Sequence, residues 1–86
     1  MASLLDQNNI EWVIPDKAIL WLDDNQKEHK YFPDFYLPNL DQYLDPKNPI
    51  VIIKQKEKLE KVSKIINLIY GKPSEIMERL TGVEPA

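Results

Sequence analysis

The reading of one stretch decides the fold: Ile50-Val51-Ile52-Ile53-Lys54-Gln55-Lys56-Glu57-Lys58-Leu59-Glu60-Lys61-Val62-Ser63-Lys64-Ile65-Ile66-Asn67-Leu68-Ile69-Tyr70-Gly71. It opens with four β-branched residues, Ile50–Ile53, which read as a strand because branching at Cβ suits a pleated surface. From Gln55 the period changes. Leu59, Val62 and Ile66 recur at spacings of three and four among lysines and glutamates, the pattern of an amphipathic helix. Glu57 to Lys61 and Glu60 to Lys64 have the favourable i,i+4 orientation. Two endings are open: the helix runs through Ile69 to a C-cap at Gly71, or it stops near Lys64 and Ile65–Tyr70 becomes a strand. Ile65, Ile66, Leu68, Ile69 and Tyr70 leave no polar face, as in a strand buried on both sides, so the second ending is preferred. The helix is then a crossover that brings the next strand back in parallel.

Downstream, Gly71-Lys72-Pro73 reads as a turn. Ser74 is placed to cap a last short helix, Glu75–Leu80, with Gly82 as its stop. Upstream, Ser3–Asn8 is a short helix and Ile10–Ile14 an extended piece ended by Pro15. Ala18–Leu22 is a strand by its β-branched and aromatic content, and Asp23-Asp24-Asn25-Gln26 is a turn. Glu28–Tyr36 then alternates, with His29, Tyr31, Pro33 and Phe35 on one face and Lys30, Phe32, Asp34 and Tyr36 on the other. The two segments form an antiparallel hairpin. Pro38 and Asn39 break the strand, and Asp41–Asp45 offers another. The expected order is α-β-β-β-α-β-α, an α+β (α/β) domain spanning residues 1–86, with a mixed sheet of about four strands, a crossover helix and a short C-terminal helix.

Composition narrows the chemistry. With no cysteine, a disulfide scaffold, a thiolate metal site and a cysteine nucleophile are impossible. The single histidine, His29, excludes His-rich zinc frameworks and makes a Ser-His-Asp triad a poor fit; beside the hairpin turn it reads as a surface residue. No apolar run reaches the ~18–20 residues that span a bilayer, so no membrane partner is expected. The absence of cysteine suits a reduced, cytoplasmic compartment. The net charge of −3 hides an asymmetry, −5 over residues 1–49 and +2 over residues 50–86. Five lysines, Lys54, Lys56, Lys58, Lys61 and Lys64, fall within eleven residues. Such a segment is either a solvated helix face or a phosphate-binding one.

Three residues carry the candidate chemistry: Asp34 in Tyr31-Phe32-Pro33-Asp34-Phe35-Tyr36, then Asp45 and Lys47 in Tyr43-Leu44-Asp45-Pro46-Lys47. Eleven residues separate the two aspartates, enough for the chain to reverse and set them side by side on neighbouring strands. Two close carboxylates repel each other and suit a hard cation such as Mg²⁺, which takes oxygen ligands and keeps several waters. Lys47, two residues after Asp45, shares its strand face. There an ammonium orients or helps deprotonate an attacking water, or offsets charge on a phosphate under attack. The same residues also read as proline turns, with Asp45-Pro46-Lys47-Asn48-Pro49 a surface loop without chemistry.

The pairing of Tyr31-Phe32-Pro33-Asp34-Phe35-Tyr36-Leu37-Pro38 with Tyr43-Leu44-Asp45-Pro46-Lys47-Asn48 resembles the signature of the PD-(D/E)XK nuclease superfamily, and in particular small endonuclease-like proteins of bacteriophages. The resemblance spans roughly residues 3–72 and implies a restriction-endonuclease-like αβββαβ core. It implies a Mg²⁺-dependent endonuclease, Mn²⁺ substituting, that hydrolyses DNA phosphodiester bonds in a host-cell cytoplasm. Asp34 and Asp45 would be the metal ligands and Lys47 the catalytic lysine. Lys54, Lys56 and Lys58 would meet the DNA backbone. Many members add a glutamate from the first helix; here that segment offers Asp6, with Glu11 after it. Pro46 cannot donate to a ladder, so the strand there is an edge or bulges. Cutting both strands of a duplex needs two sites, and so small a domain leaves a sheet edge to cover, which points to a homodimer. Two alternatives stand beside this one: a catalytically inactive nucleic-acid-binding or interaction module of the same fold, and a structural protein without a nucleic-acid role.

Overall fold

The computed structural model describes residues 1–82. Among these residues the chain forms helix α1 (Ala2–Gln7), strands β1 (Ile19–Leu22), β2 (Glu28–Tyr31), β3 (Phe35–Leu37) and β4 (Gln42–Pro46), helices α2 (Pro49–Lys54) and α3 (Lys56–Ser63), strand β5 (Leu68–Gly71) and helix α4 (Pro73–Thr81). The class is α+β, and the strands form two sheets, β1-β2 and β3-β4-β5, rather than the expected single sheet of about four.

Pro33 is the physical reason for the division. The expected strand Glu28–Tyr36 stops at Tyr31 and restarts at Phe35, because proline fixes φ and has no N–H for a ladder. β2 therefore pairs only with β1, antiparallel, with Ile19 opposite Tyr31 and Trp21 opposite His29. Their turn is built as the sequence suggests. Asp23 Oδ1 accepts hydrogen bonds from the N–H groups of Asn25 (2.8 Å) and Lys27 (3.0 Å), the usual device by which Asp closes a turn on its own backbone.

β4 is the central strand of the second sheet, antiparallel to β3 and parallel to β5. Pro46 neither bulges nor sits on an edge strand. The N–H groups of Tyr43 and Lys47 donate toward β5, to the carbonyls of Asn67 (2.7 Å) and Gly71 (2.8 Å), so the intervening position 46 faces the β3 side. There β3 has already ended, and continuing its register puts Pro33 opposite Pro46. The missing N–H falls where no ladder partner exists. The extended piece before β1 contributes a bridge, Val13 with Tyr36, on the outer side of β3.

The crossover is all helix. Ile50–Ile53 is not a strand but most of α2, which a start signal just before it initiates. Asn48 Oδ1 accepts from the N–H of Val51 at 2.9 Å, and Pro49 occupies the first helical position. A side-chain N-cap is worth about 1 kcal/mol, which offsets part of the roughly 1–3 kcal/mol that four β-branched residues cost in a helix relative to Ala; packing, with Ile52 against the second core cluster, adds to it. Past the break at Gln55, α3 ends with Lys64 as its C-cap and β5 follows, so the chain takes the strand ending. The last helix starts earlier than expected: Lys72 is the N-cap with Pro73 next, and Ser74 lies inside the helix. Gly82, at φ 72°, closes it in the left-handed conformation expected of a glycine stop. Lys61 bonds Asp24 of the hairpin turn at 2.8 Å, and Lys56 approaches Glu60 at 3.9 Å.

Alternation along β4 and β5 divides the interior in two. Leu44 and Ile69 face one way, into a cluster with Leu5 of α1, Leu37, and Ile76 and Met77 of α4. The opposite face meets α3, where Leu59 and Val62 are fully buried against Trp21 and Tyr31 of the hairpin, with Ile52, Ile66, Leu68 and Tyr70 at the margin. Each buried Leu or Val supplies about 1.5–3 kcal/mol of favourable transfer. This second cluster holds the hairpin over the three-stranded sheet and forms the floor of the candidate site.

Candidate active site

β4 delivers Asp45 and Lys47 on the face that meets α3. Two residues apart on one strand, they point the same way, opposite to Leu44. Asp45 is 2% exposed and is the one buried charged side chain among the described residues. Its Oδ2 accepts a hydrogen bond from the Tyr31 hydroxyl and lies 3.3 Å from Lys47 Nζ. A carboxylate this deep persists only with such partners, since an unpaired buried charge is strongly unfavourable. Asp34 comes from the other side. Phe35 pairs with Leu44, and one further step of that antiparallel register sets Asp34 opposite Asp45. Burial, and then the charge of Asp45, push the Asp34 carboxyl above the usual carboxylate value, while Lys47 acts in the opposite direction. The three residues singled out from sequence thus share one electrostatic neighbourhood.

Two further residues join them. Tyr31 belongs to the other sheet, yet its hydroxyl reaches Asp45, and its phenol is pushed well above the ordinary tyrosine value, first by burial and then by that hydrogen bond. Lys58 of α3 holds its ammonium 5.5 Å from the centroid of the Tyr31 ring, a cation–π distance. Its pKa is lowered, chiefly by burial and next by Lys47, with Asp45 opposing. Lys58 therefore shares the electrostatic neighbourhood of Asp45 and Lys47. Lys54 and Lys56, the other two lysines of the expected backbone contact, are exposed and lie outside this group. Strand alternation assigned Tyr31 to the face away from Asp34, and the break at Pro33 removes that parity. Lys58 was expected on the DNA backbone with Lys54 and Lys56, and the structure sets it apart from those two, over the Tyr31 ring.

The two acids nearest the expected first-helix glutamate, Asp6 and Glu11, are engaged elsewhere. Asp6 Oδ1 accepts from Trp12 Nε1 at 2.8 Å, and Glu11 Oε2 accepts from Asn39 Nδ2 at 3.2 Å. His29 stacks on Trp21 and contacts Asp23 at 2.8 Å, at the hairpin turn. Among the described residues no group of three or more His, Cys, Asp or Glu side chains is placed to hold a metal ion. Two facing carboxylates nonetheless fit Mg²⁺, which is commonly bound through one or two carboxylates and keeps several waters. They do not fit zinc, whose sites favour three or four nitrogen or sulfur ligands. Chemically, the arrangement combines an oxygen-ligand pair, two ammonium groups and a phenol at the end of a central strand. Among the described residues no helix is long and apolar enough to cross a membrane. No family model, curated protein or solved structure matches the chain.

Proposed function

We propose that this chain is a metal-dependent endonuclease of the PD-(D/E)XK type, hydrolysing DNA phosphodiester bonds. The observation that carries the reading is the ion pair between buried Asp45 and half-buried Lys47 at the end of the central strand, with Asp34 brought opposite by the β3–β4 register. The element order supports it as well. With β2 and β3 taken as one strand interrupted at Pro33, and α2 and α3 as one interrupted crossover, the order is αβββαβ followed by α4.

Asp34 and Asp45 would hold Mg²⁺, or Mn²⁺ in its place, which when bound polarises the phosphate and offsets its charge. Lys47 orients the attacking water and stabilises negative charge developing on the phosphoryl oxygens. Tyr31 and Lys47 both contact Oδ2 of Asp45, which fixes the carboxylate that would help hold the ion. Water oxygen bonds to phosphorus, the ester P–O bond breaks, and the products are a phosphate monoester end and a hydroxyl end. Lys58 supplies a second positive charge beside the reacting phosphate, and Lys54 and Lys56 add sequence-independent attraction to the backbone. Two copies would supply the two sites a double-strand cut needs, with the exposed Leu20 and Leu22 of β1 available for self-association. A second reading has its own observation. Asp45 is already satisfied by Tyr31 and Lys47, as in a nucleic-acid-binding module that no longer cuts.

Cleavage of supercoiled plasmid and branched DNA with Mg²⁺ or Mn²⁺ separates the two. Metal-dependent cutting that is lost in Asp34→Asn and Lys47→Ala is expected, with circular dichroism verifying the fold of each variant. Asp34 is exposed, so its variant folds even if the Lys47 one does not. Cutting that survives Asp34→Asn, or no cutting by the wild-type chain, overturns the catalytic assignment.

A further inference from the structure

The geometry points to a binding groove for an unpaired nucleobase beside Asp34, which makes DNA with unpaired nucleotides the substrate class of the proposed nuclease. This rests on the reading of Asp34, Asp45 and Lys47 given above. An open groove of about 600 Å³ runs away from Asp34, walled by Trp12, Ile14, Phe32, Pro33 and Phe35. Phe32 is 63% exposed between two buried neighbours, Tyr31 and Pro33, and Ile14 is 75% exposed. The break between β2 and β3 is what turns the Phe32 ring out of the interior.

Three features select the occupant. The far wall is pre-formed: Trp12 is fixed by its hydrogen bond to Asp6 and meets Phe35 edge-on at 5.3 Å and 80°, so little ordering is needed on binding. Asp34 is the one charged residue of the lining. The groove therefore repels phosphate and accepts a neutral group with flat apolar faces, while the lysines lie on the α3 side. Asp34 also belongs to the acidic pair that the lysines adjoin, so a strand whose phosphates lie along those lysines brings a base to the groove. A second copy of the chain is a poorer occupant, because covering the groove with protein would bury Asp34 further with no cation among the lining residues. A paired base is held within the duplex stack and cannot enter, whereas a base in a flap, gap or branch can, and aromatic stacking on such bases is tolerant of sequence.

The test uses the full chain and DNA carrying 2-aminopurine, placed either in a three-nucleotide flap or within a blunt duplex, with binding read by fluorescence in the presence of EDTA. Wild-type protein is expected to change the flap signal and to prefer the flapped DNA. Phe32→Ala is expected to weaken flap binding about tenfold, as for the loss of one stacked base, while duplex binding stays within about twofold, the additive contributions of backbone contacts being unchanged. Phe32→Trp should restore it. Equal flap affinity for wild type and Phe32→Ala, or no preference for the flap, overturns the groove. So does a dimer in sedimentation that Phe32→Ala dissociates, which would assign the groove to a second copy. The two proposals fail separately. Phe32-dependent flap binding without metal-dependent cleavage keeps the groove and removes the nuclease, and cleavage without Phe32 dependence does the reverse.

Discussion

Replacing Tyr31 with phenylalanine removes one oxygen atom from the structure and tests the centre of the site. Asp45 is 2% exposed, and its Oδ2 has two partners, the Tyr31 hydroxyl and Lys47 Nζ. The substitution keeps the ring that packs against Leu59 and Val62 and that Lys58 faces, so the loss is confined to the hydrogen bond. Hydrogen bonds to charged groups are worth about 1.5–3 kcal/mol. In a domain of this size about 2 kcal/mol lowers the melting temperature by roughly 10 °C. The pH dependence gives a second, independent reading. The phenol is raised above its ordinary value in the folded chain, so the folded state keeps its proton where the unfolded chain, titrating near ~10, releases it. The stability contributed by the hydroxyl is therefore complete below about pH 10 and is lost above it, by up to about 1.4 kcal/mol per pH unit. Urea unfolding followed by tryptophan fluorescence from pH 6 to pH 11 should show Tyr31→Phe less stable by a constant amount up to pH 9, with the gap closing above pH 10. Equal stability at pH 7, or a gap that stays constant through pH 11, would refute the buried phenol–carboxylate pair.

Three further outcomes are expected. Asp34 carries a carboxyl that burial and Asp45 hold above its usual value, so its ionisation costs folding stability as pH rises through the carboxylate range. Asp34→Asn should therefore melt higher than wild type at pH 7 and no higher near pH 3. Under the metal reading, Mg²⁺ at one hundred times its Kd adds about 2.7 kcal/mol to the wild type and nothing to this variant in calorimetry. Asn48→Ala removes the cap on Val51 N–H and should cost about 1 kcal/mol in chemical denaturation; an unchanged stability would mean that α2 does not depend on that cap.

What the sequence made legible was local or periodic. The 3–4 spacing of Leu59, Val62 and Ile66 located the helix that covers the sheet, and the all-apolar run to Tyr70 located β5. Asp34 and Asp45 could be set opposite each other because a turn of known breakers, Pro38 and Asn39, separates two alternating segments. Ile50–Ile53 misled because β-branching is a context-dependent preference that tertiary packing overrides, and a helix-start signal stood just before it, in Asn48-Pro49. Pro33 misled in another way. A proline in an alternating run was read as part of the strand, yet it ended one sheet and began another. Tyr31 was not legible as a site residue at all, and Lys58 was expected only as one of three lysines on the DNA backbone. Tyr31 reaches Asp45 from the other sheet and Lys58 lies over the Tyr31 ring from α3, and only tertiary packing through Leu59 and Val62 sets those elements together.

The energetics of the site argue that it was not retained for stability. Buried ion pairs replaced by apolar residues of similar volume are often neutral or stabilising, and two apolar clusters already hold the domain together. Yet Asp45 occupies the central strand, where a leucine would pack, as Leu44 does on the opposite face. Asp34 is brought opposite it at an electrostatic cost, and Lys58 has its ammonium partly desolvated beside Lys47. Unfavourable electrostatics of this kind cluster where a ligand or a reaction relieves them. Here all of it converges on one end of β4, drawn from two sheets and a helix. A divalent cation between the aspartates would lower the repulsion that raises Asp34, and a phosphate would do the same for the two lysines.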